Sequence, residues 1–352
     1  MSDQRELMRR AIALCVSFAA VAAGALSLNA ATCSTQSQMS ATLRTAFTGE
    51  AHTVAAIVQS GDIQGLRAKI LPAISGDFDG IAASVTSLKP QLQGAKITVD
   101  SLYLLDASKD APGAERTQFF CGSPIVILTF NGLPPGTYAL AILHATGVQH
   151  PQQISLIFAS APGNQWQIAG FYAKPMIEAD HDGLWYWTSA RKSAQMKDNW
   201  TAWLYYHIAV GLLSPVDFLS SPNLQKLQQE TEQVHPKDFP ADKTQVSLNA
   251  QGTAFNLSAI DTTTQFGGLD LDVHYIPNAT QAAQLRTPTE ARKQVTDVMT
   301  ALLAQHPGLR QAFHGMWVHA DQGDSSLFAL ELPMEQINPG MPQASNNQPA
   351  VR

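Results

Sequence analysis

The chain has 352 residues, 14% of them charged, with a formal net charge of −6 and no run of Lys or Arg. Nucleic acid is held by clustered cations that displace phosphate counterions, so that class of partner is excluded. The length suffices for two or three domains with cores of their own.

Arg5, Arg9 and Arg10 precede an uncharged apolar stretch over 11–28, closed by the small residues of "NAAT". That order predicts a secretory signal over 1–31, cut after Ala30 or Ala31. One alternative is a retained N-terminal anchor, because the stretch is long for a signal and just short of a span. Another is a lipid on Cys33, against which Thr32 stands where a small Gly, Ala or Ser is usual. No sustained apolar span follows residue 30, so the body is expected to be soluble, with the N-terminus as its route to a membrane. Export would leave Cys33 and Cys121, which pair in an oxidising compartment or stay apart. Without histidines at ligand spacing they make no zinc site.

Residues 39–90 read as helices. Val54, Ile57 and Val58, then Ile63, Leu66 and Ile70, recur at helical spacing. Gly61 and Asp62 between them supply a helix end and a new N-cap. A further helix carries Ile81, Val85 and Leu88 on one face and is expected to stop at Pro90. From Ile97 the period changes to strands, rich in β-branched and aromatic residues and broken by turn sequences such as "NGLPPGT" and "APGNQ". Helices followed by an antiparallel meander make an α+β plan.

The segments "AAIVQSGDIQGLRAKI" and "WQIAGFYAKP" carry a resemblance to the nuclear transport factor 2-like family, which includes ketosteroid isomerase-like proteins. It covers about residues 40–175, within an α+β domain over 39–175. The resemblance implies a curved sheet wrapped on helices into a cone with a pocket, used by isomerases, dehydratases and non-catalytic binding or assembly domains. Fold alone does not choose among these.

Residues 180–235 read as a helical hairpin, joined near Lys197–Asn199 and extended by a third amphipathic stretch. It holds four tryptophans, Trp185, Trp187, Trp200 and Trp203, with Tyr186, Tyr205 and Tyr206. Ala202, Tyr206 and Ala209, with Ala190 on the first helix and Pro215 at the end, resemble one tetratricopeptide hairpin. A solenoid needs about three such repeats or more, so a single packed hairpin is expected. Its rings serve as core and as cover for a neighbouring domain, since each buries about 150–250 Å². The chain then restarts as a small β-β-α-β-β domain over 243–334. In its helix, Thr287, Pro288 and Glu290 stand as N-cap, N1 and N3 of a capping box, with Ala291, Val295, Val298 and Leu302 inward. Residues 335–352, rich in Pro, Asn and Gln, are expected to be a disordered tail.

The expected pocket of the first domain offers Asp100, Tyr103, Asp106, Tyr138 and His144. An isomerase needs a carboxylate base and a donor to an enolate oxygen. Asp100 and Tyr103 lie on opposite strand faces unless a bulge intervenes, whereas Tyr138 and His144 share a face. Tyr138, His144 and Tyr103 are the ligand-binding candidates, and no catalytic residue is assigned. Glu178, Asp180, His181 and Asp182 are read as helix-start caps, not metal ligands. His314 and His319, five apart on a strand, face opposite sides and make no pair. His207 is read as half-buried and hydrogen-bonded. No nucleophile elbow, P-loop or dinucleotide fingerprint is present. "FGGLDLD" opens a strand. Neither metal nor cofactor is expected.

The function expected from these features is an exported, non-catalytic binding or assembly protein of the bacterial envelope, periplasmic or extracellular. Its partner is an unknown small molecule or protein. The alternative is a cofactor-free isomerase, lyase or hydrolase working in the first-domain pocket. A homodimeric module is a third class, because sheets of this family often pair.

Overall fold

The computed structural model describes residues 31–163, 165–240 and 244–337. The expected signal through Ala30 and the expected tail beyond Ile337 lie outside the described residues. From Ala31 onward the chain is one compact unit. Among the described residues no helix is long and apolar enough to cross a membrane.

Strand β1 (Thr32–Thr35) leads into α1 (Ala41–Ser60), α2 (Ile63–Lys69), a 3₁₀ turn over Pro72–Asp77, and α3 (Phe78–Leu92). Gly61 ends α1 in the left-handed region, φ 70°, which only a residue without Cβ enters freely. The Asp62 side chain then accepts from the Gly65 amide at 2.9 Å and starts α2, as its sequence predicts. Pro90 does not stop α3. It sits in the last turn, where its missing N–H removes a single backbone bond, and the helix continues until Leu92 is buried.

Five antiparallel strands follow the order β1-β2-β5-β6-β7, with β2 (Lys96–Asp106), β5 (Thr137–Thr146), β6 (Gln152–Ala161) and β7 (Gln165–Pro175). The hairpin of β3 (Arg116–Cys121) and β4 (Val126–Asn131) leaves this meander and forms a separate small sheet. Its Phe119, Cys121 and Leu128 pack against Leu105, Tyr138 and Leu140 on one face of the large sheet. Phe47, Val54, Leu66, Val85 and Leu92 from the helices cover the opposite face. A disulfide joins Cys33 of β1 to Cys121 of β3, with Cα atoms 5.1 Å apart. The sulfur a lipid would need is therefore engaged.

The register of β2 slips between Val99 and Ser101. This bulge explains the change of alternation in the sequence. Ile97 and Val99, then Leu102 and Leu104, all face the helices, although they have opposite parity.

Beyond β7, a tight hairpin of β8 (Ile177–Glu178) and β9 (His181–Asp182) precedes α4 (Gly183–Gln195) and α5 (Asn199–Leu213). Asp182 and Asp198 cap the two helices. Strand β10 (Leu219–Ser220) pairs with β4, and α6 (Pro222–Gln233) follows. The hairpin shares one core with the last sheet, and Tyr205 Oη donates to the Ala312 carbonyl at 2.8 Å. Trp185 and Trp187 point apart, as two residues' spacing on a helix requires. Trp187 lies against Arg191 and Glu230 and packs on the core that the hairpin shares with the last sheet, and Trp185 stacks on His181.

The last sheet runs β11-β12-β13-β14-β15, with β11 (Val246–Ala250), β12 (Thr253–Thr263), β13 (Asp270–Ile276), β14 (Gly315–Gln322) and β15 (Ser325–Pro333). Five strands stand where four were expected, because Gln251 and Gly252, both with positive φ, turn the first segment into a hairpin. Helices α7 (Ala279–Gln284), α8 (Pro288–Gln305) and α9 (Leu309–Ala312) connect β13 to the parallel β14. Ala291, Val295, Val298 and Leu302 of α8 are buried as expected, each of the larger three contributing roughly 1.5–3 kcal/mol. Thr287 makes no side-chain cap bond. Its amide instead bonds back to the Gln284 carbonyl, continuing the turn from α7. The capping box lies at Asn278 and Gln281. The expected tail from Glu335 begins ordered, because Arg310 donates to the carbonyls of Met334 and Ile337, both at 2.6 Å, and Ile337 is buried.

Candidate metal centre

Strict alternation on β13 sends Leu271, Val273 and Tyr275 into the core and leaves Asp270, Asp272 and His274 on the other face. On β14, Met316, Val318 and Ala320 point inward, and Gly315, Trp317 and His319 share the face of the acids. Because the two strands are parallel and in register, His274 pairs with His319 and Asp272 with Trp317. Asp272 Oδ1 lies 3.2 Å from the Nε2 of His274 and 3.2 Å from the Nε2 of His319.

The far side of each imidazole is occupied. His274 Nδ1 is 2.7 Å from Asp321 Oδ2, and His319 Nδ1 is 3.1 Å from Ser326 Oγ. The Ser326 hydroxyl in turn donates to Asp321 Oδ1 at 2.6 Å. One carboxylate thus orients both rings. This is the support that metal-ligating histidines usually have, and it leaves both Nε2 atoms turned to Asp272. His319 is only 7% exposed. Neither its Nε2 nor Asp272 Oδ1 has a hydrogen bond of proper geometry among the described residues.

Ligands about 2.0–2.2 Å from a tetrahedral ion stand about 3.3 Å apart. The 3.2 Å separations match that edge. The two rings stack nearly parallel, with centroids 4.4 Å apart, so an ion held by both requires the rings to fan together about their Nδ1 anchors. Two imidazoles and one carboxylate suit Zn²⁺ and its first-row neighbours, and three protein ligands leave a coordination position for water.

Without an ion, Asp272 and His274 form a charge-assisted pair, and a metal would have to displace the His274 proton. Burial alone would raise the Asp272 carboxyl, but the two histidines hold it well below the usual range. Contact with Asp272, opposed by burial and aided by Asp321, pushes His274 up to about 9.

A second polar group continues along the face. His314 Nδ1 is 2.9 Å from Asp270 Oδ1, and Glu331 of β15, opposite Trp317, reaches its carboxyl over Gly315. A Cβ on Gly315 would lie 2.6 Å from Asp270 Oδ1 and 2.7 Å from Glu331 Oε1, so only glycine admits both carboxyls. Burial raises both pKa values, and the charge of Asp270 adds to the rise at Glu331. Asp270 Oδ2 and Glu331 Oε1 are, like Asp272 Oδ1 and His319 Nε2, buried without a hydrogen bond.

The residues singled out from sequence lie elsewhere. Tyr138, His144 and Tyr103 occupy the face of the first sheet opposite α1–α3. Tyr138 is buried and donates to the Pro134 carbonyl at 2.8 Å. Tyr103 is half-buried between Thr35 and Leu140. His144, at the other end of β5, has Nδ1 3.9 Å from Asp100 Oδ1, which the β2 bulge brings within reach. The three do not converge on one point. Asp182 caps α4, accepting from the Trp185 amide at 2.8 Å, and Glu178 turns into a cleft beside α5. His207, expected half-buried, is exposed and packs on Trp203. His314 and His319 were expected on opposite strand faces, but His314 precedes β14, strand alternation does not govern it, and both histidines meet acids on the same face of β13. The signal that could have found the centre is Asp272-x-His274 on an alternating strand. Its third ligand is set by strand order, which sequence spacing does not reveal.

No protein-family model, curated protein or solved structure matches this chain.

Proposed function

We propose that the chain is an exported binding protein of the bacterial envelope that holds one divalent transition-metal ion through Asp272, His274 and His319. The observation that carries this reading is the pair of imidazoles fixed from behind by Asp321 and Ser326, with both Nε2 atoms turned on one carboxylate oxygen. Export is supported by the basic and apolar N-terminus in the sequence and by the Cys33–Cys121 disulfide, a bond of oxidising compartments. Within this reading residues 39–175 are a nuclear transport factor 2-like domain, supported by α1–α3 packed on one face of an antiparallel sheet. The hairpin is tetratricopeptide-like, supported by the burial of Ala190, Ala202, Tyr206 and Ala209 between its helices.

Titration calorimetry of chelator-stripped protein with Zn²⁺, Ni²⁺ and Co²⁺ tests the proposal. One ion per chain is expected, with binding abolished in His319→Ala and Asp272→Asn. Unchanged stoichiometry and affinity in both variants would overturn it.

A further inference from the structure

We propose that the cleft between α5 and β12 binds a small organic cation carrying ammonium groups. The cleft encloses about 550 Å³, within the range of roughly 300–1,000 Å³ usual for small-molecule sites. It is distinct in position and chemistry from the metal centre.

Its walls come from the end of β7, β8, α5, β12 and the segment after α6. Trp203 and His207 are on α5, Phe239 follows α6, Asp261 and Thr262 are on β12, and Glu178 ends β8. Trp203 is half-exposed, beside His207, His235 and Phe239. Trp200 is instead buried and bonded to Asp238, and Trp187 to Glu230. An indole face next to carboxylates is suited to an alkylammonium group, through ring electrostatics and contact with its methylenes.

Glu178 is held in place. The buried Tyr186 donates its hydroxyl to the Glu178 carbonyl at 2.9 Å. The following turn keeps Ala179 and Asp180 at φ 43° and 65°, a conformation disfavoured for any residue with a Cβ. The carboxylate therefore reaches the cleft from a fixed backbone. Glu178 and Asp261 line the same cleft with His207, and burial together with the charge of Asp261 raises the Glu178 pKa. Among the described residues no Lys or Arg pairs with either acid. Lys174, near the rim, directs its Nζ to the carbonyls of Gly211 and Ser214 and lines a neighbouring cleft. A ligand with positive charge removes the repulsion, and one with two charges satisfies both acids.

Calorimetry with 1,4-diaminobutane, butylamine, choline and neutral 1,4-butanediol tests this, on full-length mature protein in the presence of a chelator, so that the outcome does not depend on the metal centre. The expected result is saturable binding of the amines, tightest for the diamine, with none for the diol. Glu178→Gln and Asp261→Asn should each weaken it about tenfold or more, the effect of losing about 1.4 kcal/mol. Trp203→Leu should also weaken it, and a thermal midpoint equal to wild type in the two acid variants shows that their losses are local. No saturable binding of any cation up to about 10 mM, equal binding of the diol, or unchanged affinity in both acid variants would overturn the proposal.

Discussion

His274 and His319 stand side by side on parallel strands, rings 4.4 Å apart, and one residue, Asp321, holds both: directly at 2.7 Å for His274 and through Ser326 for His319. Both Asp321 carboxylate oxygens are engaged, one by His274 and one by Ser326, so its role is to position. Asp321→Asn should weaken Zn²⁺ binding about 10–100-fold while leaving one site per chain, the usual size of such a loss. Calorimetry reads both quantities. An Asp321→Asn protein with wild-type affinity would mean that the imidazoles need no support from behind.

The same network makes the metal-free protein sensitive to alkali. His274 has a folded value near 9, above its unfolded value of about 6.5. Its protonated form therefore stabilises the fold fully below about pH 6.5, and that contribution is lost as pH rises through about 9. Asp272 is depressed, so its contribution is present above its unfolded value of about 4 and is lost on further acidification. In thermal melts with a chelator, wild type should lose stability between about pH 7 and 9 more steeply than His274→Asn. Parallel curves for the two proteins would exclude a charged His274.

Helix capping separates Thr287 from Asn278. Asn278 accepts from the amides of Thr280 and Gln281, both at 3.0 Å, whereas Thr287 makes no such bond. Asn278→Ala should lower stability by about 1 kcal/mol, and Thr287→Ala should stay within about 0.5 kcal/mol of wild type. Urea denaturation midpoints decide this, and the reverse order would place the working cap at α8.

Trp200 and Trp185 contrast burial with exposure on the same hairpin. Trp200 is 4% exposed, stacks on His306 at 3.9 Å and donates to Asp238, while Trp185 is 39% exposed. Trp200→Ala should destabilise by about 3–5 kcal/mol. Trp185→Ala, losing mainly the stack on His181, should cost less than about 1 kcal/mol. Thermal unfolding of the two variants provides the comparison.

Sequence alone determined the features that depend on near neighbours. The helix break at Gly61–Asp62, the inward face of α8 and the Asp182 cap all follow from spacing and backbone preference over a few residues. The alternation of Ile97 and Val99 with Leu102 and Leu104 even carried the trace of the bulge at Asp100. Tertiary structure decided what depends on which distant segments meet. The β3–β4 hairpin left the meander because its apolar face and Cys121 had a partner surface behind β1, β2 and β5. The capping bond moved from Thr287 to Asn278 because α7 runs directly into α8. The metal centre was hidden for the same reason. Asp272 and His274 are two residues apart, but His319 reaches them only because β14 lies parallel to β13 in a register fixed by core packing on the opposite face. Spacing along a chain records which face a side chain takes on its own strand, and it carries no record of which strand lies alongside.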